Sequence, residues 1–182
     1  AFLAVILPSI STTIINCQYR LKFYKELQII YHCEAENVIV LEPNSIVTNI
    51  TGQHFTQPIY DGTSMFRGFH IYKDTDIKGI YIEFSVIYYF PKNIEHKFTN
   101  LTAISIINSK LREIHQIDLK VFPELRYLSL KGNEIQVIEN DLFKFNAKLK
   151  VVAFNHNHIK HIDPKVFGDL KDIKVLQLAL NP

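Results

Sequence analysis

From Ile77 onward the apolar positions of the chain recur every 24 residues. The blocks 77–100, 101–124, 125–148 and 149–172 align, and 173–182 opens a fifth. Position 1 reads Ile77, Leu101, Leu125, Leu149, Ile173; position 4 reads Ile80, Ile104, Leu128, Val152, Leu176; position 6 reads Ile82, Ile106, Leu130, Phe154, Leu178. Position 11 (Ile87, Leu111, Ile135, Ile159) and position 14 (Phe90, Ile114, Ile138, Ile162) are apolar throughout as well. A fixed period of this length marks one structural unit used again and again. Apolar residues at 4 and 6 alternate with other types at 3, 5 and 7, which predicts a short strand with one buried face. The later apolar sites turn the chain back over the same core. One 24-residue coil cannot bury its own apolar face, so the coils must stack, one strand each, into a solenoid with a parallel sheet. Five strands about 4.8 Å apart span about 19 Å.

The best copy, Leu125-Arg126-Tyr127-Leu128-Ser129-Leu130-Lys131-Gly132-Asn133-Glu134-Ile135, resembles the 24-residue leucine-rich repeat of extracellular proteins, LxxLxLxxNxLxxLxxxxFxxLxx. Asn133, Asn157 and Asn181 stand at position 9, and Phe143 and Phe167 at position 19. Ser85 and Ser109 depart from the pattern at position 9, Glu95 and Leu119 at position 19, and Asn146 at position 22. The resemblance covers Ile77 to Pro182. It implies an α/β-type solenoid, a right-handed horseshoe with a parallel concave sheet, cut short at its C-terminal end. An inward Asn after each strand has two donors and one acceptor for backbone groups that no sheet partner reaches, and so builds a ladder from coil to coil. Serine supplies only part of that set.

A stack of coils needs its end covered. Residues 12–51 are expected to form an N-terminal β cap, held by a disulfide between Cys17 and Cys33, the only cysteines of the chain. Phe23, Tyr24, Leu27, Ile29, Ile30 and Tyr31 are expected to lie over the first coil, and Val38–Leu41 and Ile46–Ile50 to be strands extending the sheet. A separation of sixteen positions between the cysteines is far from the C-x-x-C spacing of a redox dithiol. Residues 52–76, with Gly52, Gly62, Gly68 and Pro58, read as a loop or linker with a strand near Phe69–Tyr72. Residues 1–11 read as the remnant of a secretory leader: an apolar run, Pro8, then the small-x-small triplet Ser9-Ile10-Ser11. The spacing C-x-Y, Y-x-C and then Thr51-Gly52-Gln53-His54 is similar to small secreted leucine-rich repeat proteins of insects. In such a setting Asn49-Ile50-Thr51 and Asn100-Leu101-Thr102 are glycosylation sequons.

Charge and chemistry narrow the function further. Twenty Lys and Arg against 18 Asp and Glu leave a formal charge of +2, too weak a field to argue for nucleic acid. No run of about 18 apolar residues supports a membrane span. His156, His158 and His161, with Asp163, are the one cluster to weigh as a zinc site, and read more simply as solvated turn residues. With no placeable Ser/His/Asp set and no phosphate loop, neither catalysis nor a cofactor is expected. The resemblance puts positions 3, 5, 7 and 8 on the concave face. There Tyr81, Phe84, Ile107, Tyr127, Val151 and Leu180 make a broken apolar stripe among Glu83, Ser129, Lys131, Asn155 and Gln177. A Tyr-bearing apolar face rimmed by polar groups is the composition of a protein contact. The expectation is a non-catalytic, secreted or extracellular module that binds a protein or peptide, with Tyr127 as anchor and Lys131 and Glu83 tuning charge. The alternatives are a structural piece of a larger Toll-like or adhesion receptor ectodomain and, remotely, a zinc-assisted hydrolase.

Overall fold

A computed structural model of the chain describes residues 11–25, 27–53, 57–60, 66–70 and 76–182. The leader reading of residues 1–11 therefore falls almost wholly outside the described residues. Two long strands open the fold, β1 (Thr12–Tyr24) and β2 (Gln28–Glu36), followed by the short β3 (Ile39–Val40) and by β4 (Ile46–Gln53). Next come β5 (Gln57–Tyr60) and β6 (Phe66–His70), then β7 (Gly79–Glu83), β8 (Val86–Ile87) and helix α1 (Ile94–Lys97). Strand β9 (Ala103–Ile107), helix α2 (Gln116–Lys120), β10 (Tyr127–Ser129), β11 (Val151–Ala153), a short 3-10 turn (Pro164–Phe167) and β12 (Val175–Gln177) follow.

The main sheet has eight strands in the order β12-β11-β10-β9-β7-β2-β1-β4. From β7 to β12 every pairing is parallel, with Gly79 opposite Ala103, Ala103 opposite Tyr127, Tyr127 opposite Val151 and Val151 opposite Val175. Each partner is one 24-residue period away, so the sequence repeat is the hydrogen-bond register of the sheet. Inward residues of successive strands, Ile80, Ile104, Leu128 and Val152 and then Ile82, Ile106, Leu130 and Phe154, are all buried. Leu176, on the last described strand, is exposed. On the far side the return path carries Phe98, Phe122 and Phe143 into the same core.

The position-9 residues link the coils. Asn133 Nδ2 donates to Ile106 O (2.7 Å) in the preceding coil, and its Oδ1 accepts from Ser109 N (3.1 Å) and Leu111 N (3.0 Å). Asn157 and Asn181 repeat the arrangement one and two coils on. Ser109 Oγ accepts from Ser85 N and donates to Ile107 O, and Ser85 Oγ accepts from Val38 N. The ladder thus runs on serine hydroxyls toward the cap. Asn146, the polar departure at position 22, is fully buried and donates to Leu119 O and Phe122 O.

The cap is built differently from a cover laid over an end. β2 pairs in parallel with β7, His32 opposite Gly79, and so acts as the rung before the first recognised repeat. β1 runs antiparallel to β2, and β4 pairs in parallel with β1 at the sheet edge. The Cys17–Cys33 disulfide joins β1 to β2 on their inner face, with Cα atoms 5.0 Å apart. Ile46–Ile50 does extend the main sheet, within β4. Of the expected strand 38–41 only Ile39–Val40 forms, and it pairs with β8 in a separate two-stranded sheet. Phe23 does not cover the first coil: it is 68% exposed, since β1 runs past the end of the stack and its odd-numbered face leaves the core there. Where the sequence predicts a loop over 52–76, β4 continues to Gln53, and β5 and β6 form an antiparallel pair. Tyr72 lies outside the described residues.

Candidate interaction surface

The face of the main sheet opposite the core is lined by repeat positions 3, 5 and 7. Tyr81 and Glu83 on β7, Tyr127 and Ser129 on β10, Lys131 after β10, Asn155 after β11 and Gln177 on β12 all stand at these positions. Register aligns Tyr81 with Ser105, Ser105 with Ser129, Ser129 with Ala153 and Ala153 with Gln177. Within this row Ser105, Ser129 and Ala153 are small and buried, which leaves a smooth floor. Lys131, Gln177, Phe84 and Leu180 are exposed, while Asn155 is half-buried. Glu83 is held from both sides. Tyr81 Oη donates to its Oε2 (2.5 Å) and Asn108 Nδ2 donates to its Oε1 (3.3 Å).

The two tyrosines expected on this face are in contact with residues of the cap. The Lys22 ammonium lies 3.3 Å from the Tyr81 ring centre, and the His32 ring packs against the same tyrosine at 6.3 Å. Tyr24 meets Tyr127 edge to face, with ring centres 4.7 Å apart. Both contacts come from the cap, because β1 and β2 extend beyond the strands they pair with and their tip turns across the sheet. Burial pushes the phenols of Tyr24, Tyr81 and Tyr127 above their usual range, aided at Tyr81 by the hydrogen bond to Glu83. Burial, and then the charge of Lys22, push His32 down to about 4, so the imidazole beneath the tip is neutral at physiological pH. Lys22 is lowered by burial, against the pull of Glu34 and Glu83. The sequence reading missed Lys22 and His32, and it placed Tyr24 over the first coil rather than against Tyr127 on β10. The one signal that could have found them is the length of β1, whose alternating pattern continues well past what a five-residue strand can partner.

His156, His158 and His161 are exposed, and among the described residues no three His, Cys, Asp or Glu side chains come together as a metal ion requires. Asn49 is exposed on the edge strand β4, and Asn100 is exposed in the turn before β9. Among the described residues no helix is long and apolar enough to cross a membrane.

Comparison with known proteins bears on the repeat half. Residues 123–182 match the family model described as leucine rich repeat. Toll-like receptor 2 type-1 of Gallus gallus is 28% identical over 81 residues, as is Toll-like receptor 2 type-2 of the same species. That alignment covers 44% of this chain and 10% of each receptor, so the chain spans about a tenth of the length of the curated relatives it matches. Taken with the 24-residue register of the sheet and the buried position-9 amides, the matches support a leucine-rich repeat family for the repeat half of the chain.

Proposed function

We propose that the chain is a non-catalytic, extracellular interaction module that binds a protein or peptide on the concave side of its repeat sheet. The supporting observation is the preformed floor of Ser105, Ser129 and Ala153, flanked by Tyr81, Tyr127, Glu83 and Lys131 on strands that the ladder holds rigid. A rigid sheet presents these side chains with little ordering cost on binding. Tyrosine beside both signs of charge is the composition of binding hot spots. The relatives are named as receptors, which agrees with recognition rather than turnover. The opposing face carries the return segments, whose short helices and turns differ from coil to coil.

Immobilised protein incubated with extracellular fluid tests the reading. Capture of a partner that is lost on Lys131→Glu with Gln177→Ala, and kept on Val137→Glu on the return side, supports it. Equal capture by all three proteins moves the contact off the sheet. A second reading, a structural section of a larger receptor ectodomain, is favoured by the small share of the relatives that the alignment covers. A hydrophobic span of about 20 residues in the full transcript would select it.

A further inference from the structure

The tip of the β1–β2 hairpin lies on the proposed binding face as a ligand would. Pairing of β2 with β7 begins at His32 opposite Gly79, so the backbone of Lys22–Tyr24 and of Gln28–Ile30 pairs with no repeat strand. Tyr24 nevertheless reaches Tyr127 on β10, three strands from β2 in the sheet order and therefore about 14 Å away. Only a tip folded across the sheet does this. The burial pattern of β1 records the fold: Ile15, Cys17 and Tyr19 point into the core, but from Lys22 on the even-numbered residues are covered and Leu21 and Phe23 face solvent.

The contacts are chemically selective. The Lys22 ammonium sits over the Tyr81 ring with the Glu34 and Glu83 carboxylates around it, an arrangement that takes a cation and repels an anion. Two residues on, Tyr24 is buried edge-on against Tyr127 with its hydroxyl beside that of Ser105. In an extended strand these two side chains project on the same side, about 7 Å apart. Among the described residues of the tip, Lys22 and Tyr24 on this face are covered, while Leu21 and Phe23 on the other are exposed. The backbone ladder of the tip is made within the hairpin and moves with it.

We propose that the sheet face carries a recognition site for an extended peptide segment with a cation two residues before an aromatic, and that the chain's own Lys22-Phe23-Tyr24 fills this site until such a segment displaces it. The inference rests on the concave-face reading and gives it a partner chemistry. It also makes the free protein self-blocked: a ligand's apparent affinity is reduced by the fraction of molecules whose tip is down.

The test uses the full chain and a fluorescently labelled synthetic peptide, Arg-Leu-Lys-Phe-Tyr-Lys, that copies residues 20–25. The Lys22→Ala/Tyr24→Ala protein, checked for an unchanged circular dichroism spectrum, is expected to bind this peptide about tenfold more tightly than the natural chain. Adding Tyr127→Ala should abolish that binding, as should Ala at the Lys and Tyr positions of the peptide. Should the double variant not fold, Lys22→Glu opens the site by repulsion from Glu34 and Glu83 and is expected to give the same ranking. Equal binding to natural and vacated proteins, or none to a folded vacated protein, overturns the proposal. If the peptide fails while Lys131→Glu with Gln177→Ala still ends partner capture, the binding-face reading survives and only the tip-occupied site falls.

Discussion

His115 and Glu139 occupy the same repeat position, the fifteenth, in successive coils, and His115 Nδ1 lies 2.7 Å from Glu139 Oε1. Glu139 Oε2 also accepts from Gln116 N, so one carboxylate staples the return path of two coils. The bond to Glu139 raises His115, with Glu113 and Asp118 adding to it, and the same bond lowers Glu139. A histidine raised in the fold contributes fully below its unfolded value of about 6.5 and loses that contribution as pH rises through the folded value. A lowered glutamate contributes above about 4.3 and loses it as pH falls through its folded value. The staple is therefore complete between about pH 4.5 and 6.5. Side-chain exposures of 44% and 41% keep it small, at about 0.5 kcal/mol or 1–2 °C. Melting the natural protein and Glu139→Gln at pH 6 and pH 8 should show a larger drop at pH 8 in the natural protein. Equal drops would mean that the pair carries no stability.

The ladder grades by chemistry. Asn157 is buried, and its amide serves Leu130 O (2.8 Å), Phe154 O (3.0 Å) and Ile135 N (3.1 Å). Asn157→Ala strands all three, for an expected loss of about 3 kcal/mol. Ser109→Ala loses one accepted and one donated bond, for about 1 kcal/mol. Chemical denaturation of both variants should reproduce that order. A Ser109 variant as damaged as the Asn157 variant would contradict the assignment of the work to the amide.

The repeat half was legible because a side chain at a given position meets its own counterparts 24 residues away, so period, register and burial are one fact stated three ways. The cap hid its likeness to a coil. Ile30, Cys33, Ala35 and Val38 fill positions 1, 4, 6 and 9 of a rung lying 47 residues before its partner in β7, because the segment 52–76 intervenes. None of these is a leucine or an asparagine, and no fixed period reaches them. The site was half legible for a related reason. Alternation says that Tyr81 and Tyr127 face away from the core, yet no local pattern tells that a strand as long as β1 twists after Tyr19 and brings Lys22 and Tyr24 onto them.

Position 8 is left-handed in every coil. Phe84 has φ 49°, Asn108 50°, Gly132 70°, His156 58° and Leu180 60°, and Asn37 takes 56° at the matching place in the cap. Glycine meets this demand without strain, and at Gly132 a Cβ would also collide with Asn108 Oδ1. Phe84 meets it with a bulky side chain that is 65% exposed, so little apolar burial compensates. Phe84→Gly is therefore expected to stabilise the protein by about 0.5–1 kcal/mol, although it deletes a large hydrophobe. A lower denaturation midpoint would show that Phe84 packs more than it strains.

The Cys17–Cys33 disulfide ties the antiparallel β1 to the rung β2, and among the described residues β4 joins the main sheet through β1. Closing a loop of this length is worth about 3 kcal/mol, chiefly by restricting the unfolded cap. In a stack where each coil contacts its neighbours alone, that loss should stay near the end where it is made. The Cys17→Ala/Cys33→Ala protein should therefore exchange the amides of β1 and β4 much faster, while Leu128 and Val152, four and five strands further on from β1, keep their protection. Hydrogen exchange read strand by strand makes the comparison. If protection fell as far at Leu128 as at Ile15, cap and repeats would form one cooperative unit, and the freedom of the hairpin tip to lift without unwinding the coils beneath it would go with that result.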